Sequence, residues 1–110
     1  MPLDNGLYAI RFQTPLGAGA GVVYAQNGHL RGGDSGMAYI GTFQEDGDKL
    51  TADVRAFRHT ANPGIRSVFG VDDVNIHLDG TATQSSATCI GTAPQAPGLR
   101  LQVTLERISD

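Results

Sequence analysis

At 110 residues the chain is about one domain long, which excludes most two-domain enzymes and leaves room for one modest core. With 15 glycines and only 6% aromatic residues, the composition favours turns and closely approaching strands over thick helices. A formal charge of -3 provides no clustered cationic surface for direct binding to nucleic acid or an anionic membrane.

In the first segment Tyr8, Ile10 and Phe12 alternate with Ala9, Arg11 and Gln13, the period of a strand with one buried face. "TPLG" at 14–17 is a turn, and "AGAGVVYA" carries a second strand to Asn27-Gly28, a strong two-residue hairpin signal. "HLRGG" at 29–33 is a short third strand, and "MAYIGTF" at 37–43 is a fourth. "KLTADVRAF" at 49–57 is a fifth, with Leu50, Ala52, Val54 and Ala56 on one face. "QEDGDK" at 44–49 joins the last two. The segment 58–70, "RHTANPGIRSVFG", is irregular, with room for one helical turn. Val74, Ile76 and Leu78 then alternate with Asn75, His77 and Asp79, and Asp79-Gly80 predicts a turn into a Thr- and Ser-rich seventh strand ending near Gly91. After the loop "APQAPG", the alternation of Leu99, Leu101, Val103 and Leu105 defines the last strand.

About eight strands with hairpin-length connections and no amphipathic helix predict an all-β, antiparallel, up-and-down meander that closes into a small barrel over residues 1–110. Its inward set includes Tyr8, Ile10, Phe12, Tyr39, Phe43, Leu50, Val54, Ile76, Leu101 and Val103. A barrel of this size either holds one small apolar ligand or fills itself, and the large side chains in the set favour a filled interior. If a ligand is held, Tyr8, Ile10, Phe12, Tyr39 and Phe43 are the residues expected around it.

One cysteine, Cys89, rules out an internal disulfide and reads as a small buried hydrophobe. The start "MPLDNGLYAI" lacks the basic n-region of a secretory signal, and no apolar run is long enough to span a bilayer, so a cytoplasmic location is expected. "GDSG" at 33–36 has the look of a serine-protease nucleophile motif, but the only upstream histidine is His29 beside a turn, so the segment reads as a glycine-rich turn. The dinucleotide fingerprint fails because its third glycine falls at Val22. His29, His59 and His77 share no metal-ligand spacing, and an EF-hand opening at Asp46 and Asp48 fails at Leu50 and Phe57. No metal or other cofactor is therefore expected. Arg55, Arg58 and Arg66 read as a solvated strand end.

The segments "NGLYAIRF", "GAGVVYAQNG", "RGGDSGMAYIG" and "FQEDGD" together resemble the GrlR family of negative regulators of type III secretion, over about residues 5–54. The resemblance is carried by Gly6, Tyr8, Ile10, Phe12, Gly19, Gly21, Asn27-Gly28, Gly32-Gly33-Asp34, Tyr39 and Gly41. It implies a lipocalin-like barrel without catalytic activity that forms a homodimer. In that family an acidic loop, Glu-Asp-Glu-Asp, restrains a transcriptional activator, and its counterpart here is Glu45, Asp46, Gly47 and Asp48. Gly47 departs from the pattern, and "DG" is also what a tight hairpin needs without any partner. The resulting expectation is a non-enzymatic, protein-binding regulator of transcription. The alternative is a calycin-type barrel for a small apolar ligand.

Overall fold

The computed structural model describes residues 3–61, 64 and 67–110. Eight strands follow in chain order: β1 (Gly6–Thr14), β2 (Gly17–Gln26), β3 (His29–Gly33), β4 (Met37–Asp46), β5 (Lys49–Arg58), β6 (Asp73–Ala82), β7 (Ser86–Thr92) and β8 (Leu101–Ser109). Each pairs antiparallel with the next, and β8 pairs back onto β1 with Leu105 opposite Ile10, closing the barrel. The expected meander is therefore what the chain forms. Period-two alternation drives it: β6 reads exposed, buried, exposed, buried from Asp73 to Leu78, and β8 does the same from Leu101 to Glu106.

Two turns show the local chemistry. Gln26 pairs with His29 around Asn27 and Gly28, both at positive φ (51° and 81°), the type I′ geometry that Asn-Gly favours. Asp46 pairs with Lys49 around Gly47 and Asp48, and only Gly47 takes positive φ (63°), the type II′ pattern with glycine first.

Asp79-Gly80 is not a turn. β6 runs through it, and Gly80 pairs with Leu50 on one side and Cys89 on the other. A Cβ on Gly80 would lie 2.0 Å from the Thr88 carbonyl oxygen, so this glycine serves a close strand approach. The turn lies at 83–85, where the Thr83 hydroxyl accepts from the Ser85 and Ser86 amides at 3.2 and 3.1 Å. Such Ser/Thr turns carry a weaker sequence signal than Asp-Gly. Leu99 likewise precedes β8, which starts at Leu101. The helical turn allowed for in 58–70 falls partly on residues 62, 63, 65 and 66, outside the described residues, while 67–70 form a turn closed by the Gly70 amide and Ser67 carbonyl at 3.0 Å.

The two ends of the barrel differ. At one end residues 3–5 cross the opening: Leu3 is buried, the Asp4 amide donates to the Gln84 carbonyl at 2.8 Å, and the Tyr8 hydroxyl donates to the Asp4 carbonyl at 2.6 Å. At the other end the β5–β6 connection folds inward, burying Phe69, while the Thr14 hydroxyl donates to the Val68 carbonyl. Among the described residues no helix is long and apolar enough to cross a membrane.

Candidate functional site

The barrel interior is not completely filled. A cavity of about 260 Å³ lies toward the end covered by the β5–β6 connection, its wall including Ile10, Phe12, Val54, Ala56, Ile76 and Val103. Several of the large inward side chains expected from sequence sit against inward-facing glycines. Phe12 lies over Gly19, Tyr39 over Gly21, Val54 over Gly41 and Leu78 over Gly91, each so close that a Cβ on the glycine would fall within 3.2 Å of it. Large residues thus lie flat against bare wall, and the lumen between them stays open. Phe12 and Tyr39 also meet edge to face, with ring centroids 6.0 Å apart.

Strand lengths open a way in. β2 pairs with β1 from Gly17 to Ala25, but with the five-residue β3 only from Val22 to Gln26. Among the described residues, 17–21 therefore have no strand partner on the β3 side, and the cavity reaches this slot between Gly19, Asp34, Ser35, Ser67 and Val68.

Asp34 follows directly on β3 and holds the β3–β4 turn, as the glycine-rich turn reading expects. Its Oδ1 accepts from the Gly36 and Met37 amides at 2.9 and 2.8 Å, and its Oδ2 accepts from the Tyr39 hydroxyl. Burial, and then the hydrogen bond and charge of Asp34, push the Tyr39 phenol well above its ordinary range, so it stays a protonated donor. The His59 Nε2 lies 2.9 Å from the Asp34 carbonyl oxygen, which can only accept, so this nitrogen carries the proton. The His59 amide bonds the Gly36 carbonyl at 2.9 Å, tying the start of the β5–β6 connection to the same turn.

Of the five residues expected around a ligand, Ile10, Phe12 and Tyr39 line the cavity. Tyr8 is fully buried at the opposite end with its hydroxyl on Asp4, and Phe43 is a half-buried member of the core margin; neither borders the cavity. Asp34 went unnoticed as a wall residue because its motif explains it fully as a turn, and Ser67 and Val68 because no periodicity marks a loop that folds inward.

The acidic hairpin divides into two parts. Glu45 is half-buried and its two oxygens accept from the Leu3 amide at 3.0 and 2.9 Å, so it anchors the crossing segment. Asp46 and Asp48 are exposed at the tip, and their carboxylates make no hydrogen bond or ion pair among the described residues. The Asp48 carbonyl accepts from the Ala82 amide at 2.8 Å.

Elsewhere several outer charges are paired. Arg55 meets Asp73 at 2.8 Å and lies over the Phe57 ring, while Arg58 meets Asp72 at 3.0 Å; Arg66 lies outside the described residues. The three histidines are exposed, and no metal-holding group of His, Cys, Asp or Glu occurs among the described residues. His77 bridges Asp53 at 2.9 Å and Asp79 at 3.2 Å, and the Asp53 hydrogen bond leads in raising its pKa. Cys89 is buried, and desolvation pushes its thiol up to about 11, away from nucleophilic chemistry.

No protein-family model matches the chain, and no curated protein sequence matches it.

Proposed function

We propose that this chain is a non-catalytic binding barrel of the calycin type that holds one small, mostly apolar molecule. The carrying observation is the cavity of about 260 Å³. A cavity of about 150 Å³ takes benzene, and pockets for drug-sized molecules begin near 300 Å³. An occupant here therefore has on the order of ten non-hydrogen atoms.

The test is a titration of the isotopically labelled chain with n-octanol, read by amide chemical shifts. Shifts concentrated at residues lining the cavity, and lost in Val54→Phe, are expected. Val54 is half-buried on the cavity wall, so the larger ring takes up lumen rather than solvent. Scattered shifts, or shifts that persist in the filled variant, would end this reading.

A second reading follows from the exposed, unpaired carboxylates of Asp46 and Asp48 and from the resemblance to the GrlR family. In it the hairpin tip binds the basic surface of a transcriptional activator, with the barrel as a homodimer, and electrostatics set encounter rate and specificity more than affinity. A pull-down comparing wild type with Asp46→Ala/Asp48→Ala tests it, with Glu45 left intact because it holds Leu3. Retention of the same DNA-binding protein by both baits would refute it. Light scattering on the purified chain checks the dimer.

A further inference from the structure

The charge on the cavity wall selects the head group of the occupant. Among the described residues that line the cavity, Asp34 is the single charged side chain, and no Arg, Lys or His is there to receive an anion. Asp34 makes no ion pair; its partners are the Gly36 and Met37 amides on Oδ1 and the Tyr39 hydroxyl on Oδ2. A carboxylate has about four acceptor sites, so Oδ1 is saturated while Oδ2 keeps one free. The Tyr39 oxygen has spent its proton on Asp34 and retains only acceptor capacity. Where cavity and slot meet, the described wall therefore offers one net negative charge, with the Asp34 and Tyr39 oxygens as acceptors beside the neutral hydroxyls of Ser35 and Ser67.

The Asx-type turn at 34–37 requires only Oδ1, so the Tyr39–Oδ2 contact adds nothing that the turn needs. It holds the carboxylate beside an apolar lumen. Asp34 is half-buried rather than sealed off, so a cation placed there keeps part of its hydration while its apolar body enters the barrel, which limits the desolvation that usually offsets such pairs.

Building on the small-ligand reading, we infer that the barrel takes a primary amine with a compact apolar body, its ammonium group seated on Asp34 Oδ2 and the Tyr39 oxygen. Carboxylate-headed molecules such as fatty acids are disfavoured by the same charge. A charge-assisted hydrogen bond is roughly twice as strong as a neutral one, which sets the expected preference for an amine over its alcohol at about tenfold or more.

The experiment compares n-octylamine, n-octanol and octanoate on the full chain by calorimetric and amide-shift titration. Wild type is expected to rank amine, alcohol, octanoate, with at least about tenfold between the first two. Asp34→Asn keeps an Oδ1 acceptor for the turn and removes the charge; it should bring the amine-to-alcohol ratio to about one while octanol binds as before. If octanol binds at cavity residues but the amine binds no tighter, or if Asp34→Asn leaves the ratio intact, the head-group inference is overturned and the small-ligand reading survives. Amine binding that persists in the filled Val54→Phe barrel would assign it to the acidic surface and overturn the inference. If none of the three probes shifts cavity-lining amides, the small-ligand reading fails and takes the inference with it. Should Asp34→Asn fail to fold, the wild-type ranking decides.

Discussion

Replacing Glu45 by alanine should destabilise the barrel, whatever its hairpin binds. The carboxylate receives the Leu3 amide at 2.9 and 3.0 Å, and a hydrogen bond to a charged group contributes about 1.5–3 kcal/mol, toward the lower end for a half-buried acceptor. Leu3 is only 6% exposed, and its burial, worth about 1.5–3 kcal/mol, depends on the same anchor. Partial release of the segment therefore places the loss in Glu45→Ala at about 2–3 kcal/mol. At roughly 4 °C per kcal/mol for a chain of this length, Tm falls by about 8–12 °C in differential scanning calorimetry. Asp46→Ala and Asp48→Ala, which remove exposed and unpaired groups, should stay within about 2 °C of wild type. Leu3→Ala should combine with Glu45→Ala less than additively, because both report on one docked segment. A Glu45→Ala melting point within about 2 °C of wild type, or strict additivity with Leu3→Ala, would refute the anchoring role.

Gly80→Ala places a Cβ 2.0 Å from the Thr88 carbonyl oxygen and 2.6 Å from the Cys89 Cα, backbone atoms that cannot step aside. A loss of about 2–3 kcal/mol is expected, with weakened amide-exchange protection along β6 and β7; an unchanged melting curve would contradict the strand assignment. His77 should titrate above the ordinary value of about 6.5, chiefly through its hydrogen bond to Asp53 and also through Asp79. Because the folded pKa is raised, the stabilisation is fully present below about pH 6.5 and fades as pH rises through the folded value; it is small, since the ring is half-exposed. Imidazole proton shifts measure this, and Asp53→Asn should lower the midpoint; titration at or below 6.5 in wild type would count against the bridge. Cys89, its thiol raised to about 11, should react with iodoacetamide near pH 8 only as fast as the barrel opens. Labelling of the native chain at the rate of a free thiol would show the site to be accessible.

The strand pattern was readable because alternation is a local property. Each residue of β1, β5, β6 or β8 declares its face relative to its own neighbours, and Asn27-Gly28 declares its turn type through positive φ at both positions. Eight such strands, most of them joined by tight turns, leave few arrangements other than a closed meander, so the barrel followed as well. Asp79-Gly80 was misread for the same reason: a local motif says "turn", while the demand for glycine comes from the Thr88 backbone in the adjacent strand.

The site could not be read in that way. Whether the lumen is full depends on which large side chain lies over which glycine, and Phe12 over Gly19 or Leu78 over Gly91 are pairings set by register between strands. The Asp34 carboxylate is a complete turn residue within its own motif and becomes a cavity group only because the short β3 leaves β2 uncovered beside it. Glu45 belongs to an acidic run until Leu3, 42 residues away, presents its amide. Facing, turn type and strand order are fixed by forces acting over a few residues, whereas free volume and the partners of a charge depend on positions that all eight strands establish together.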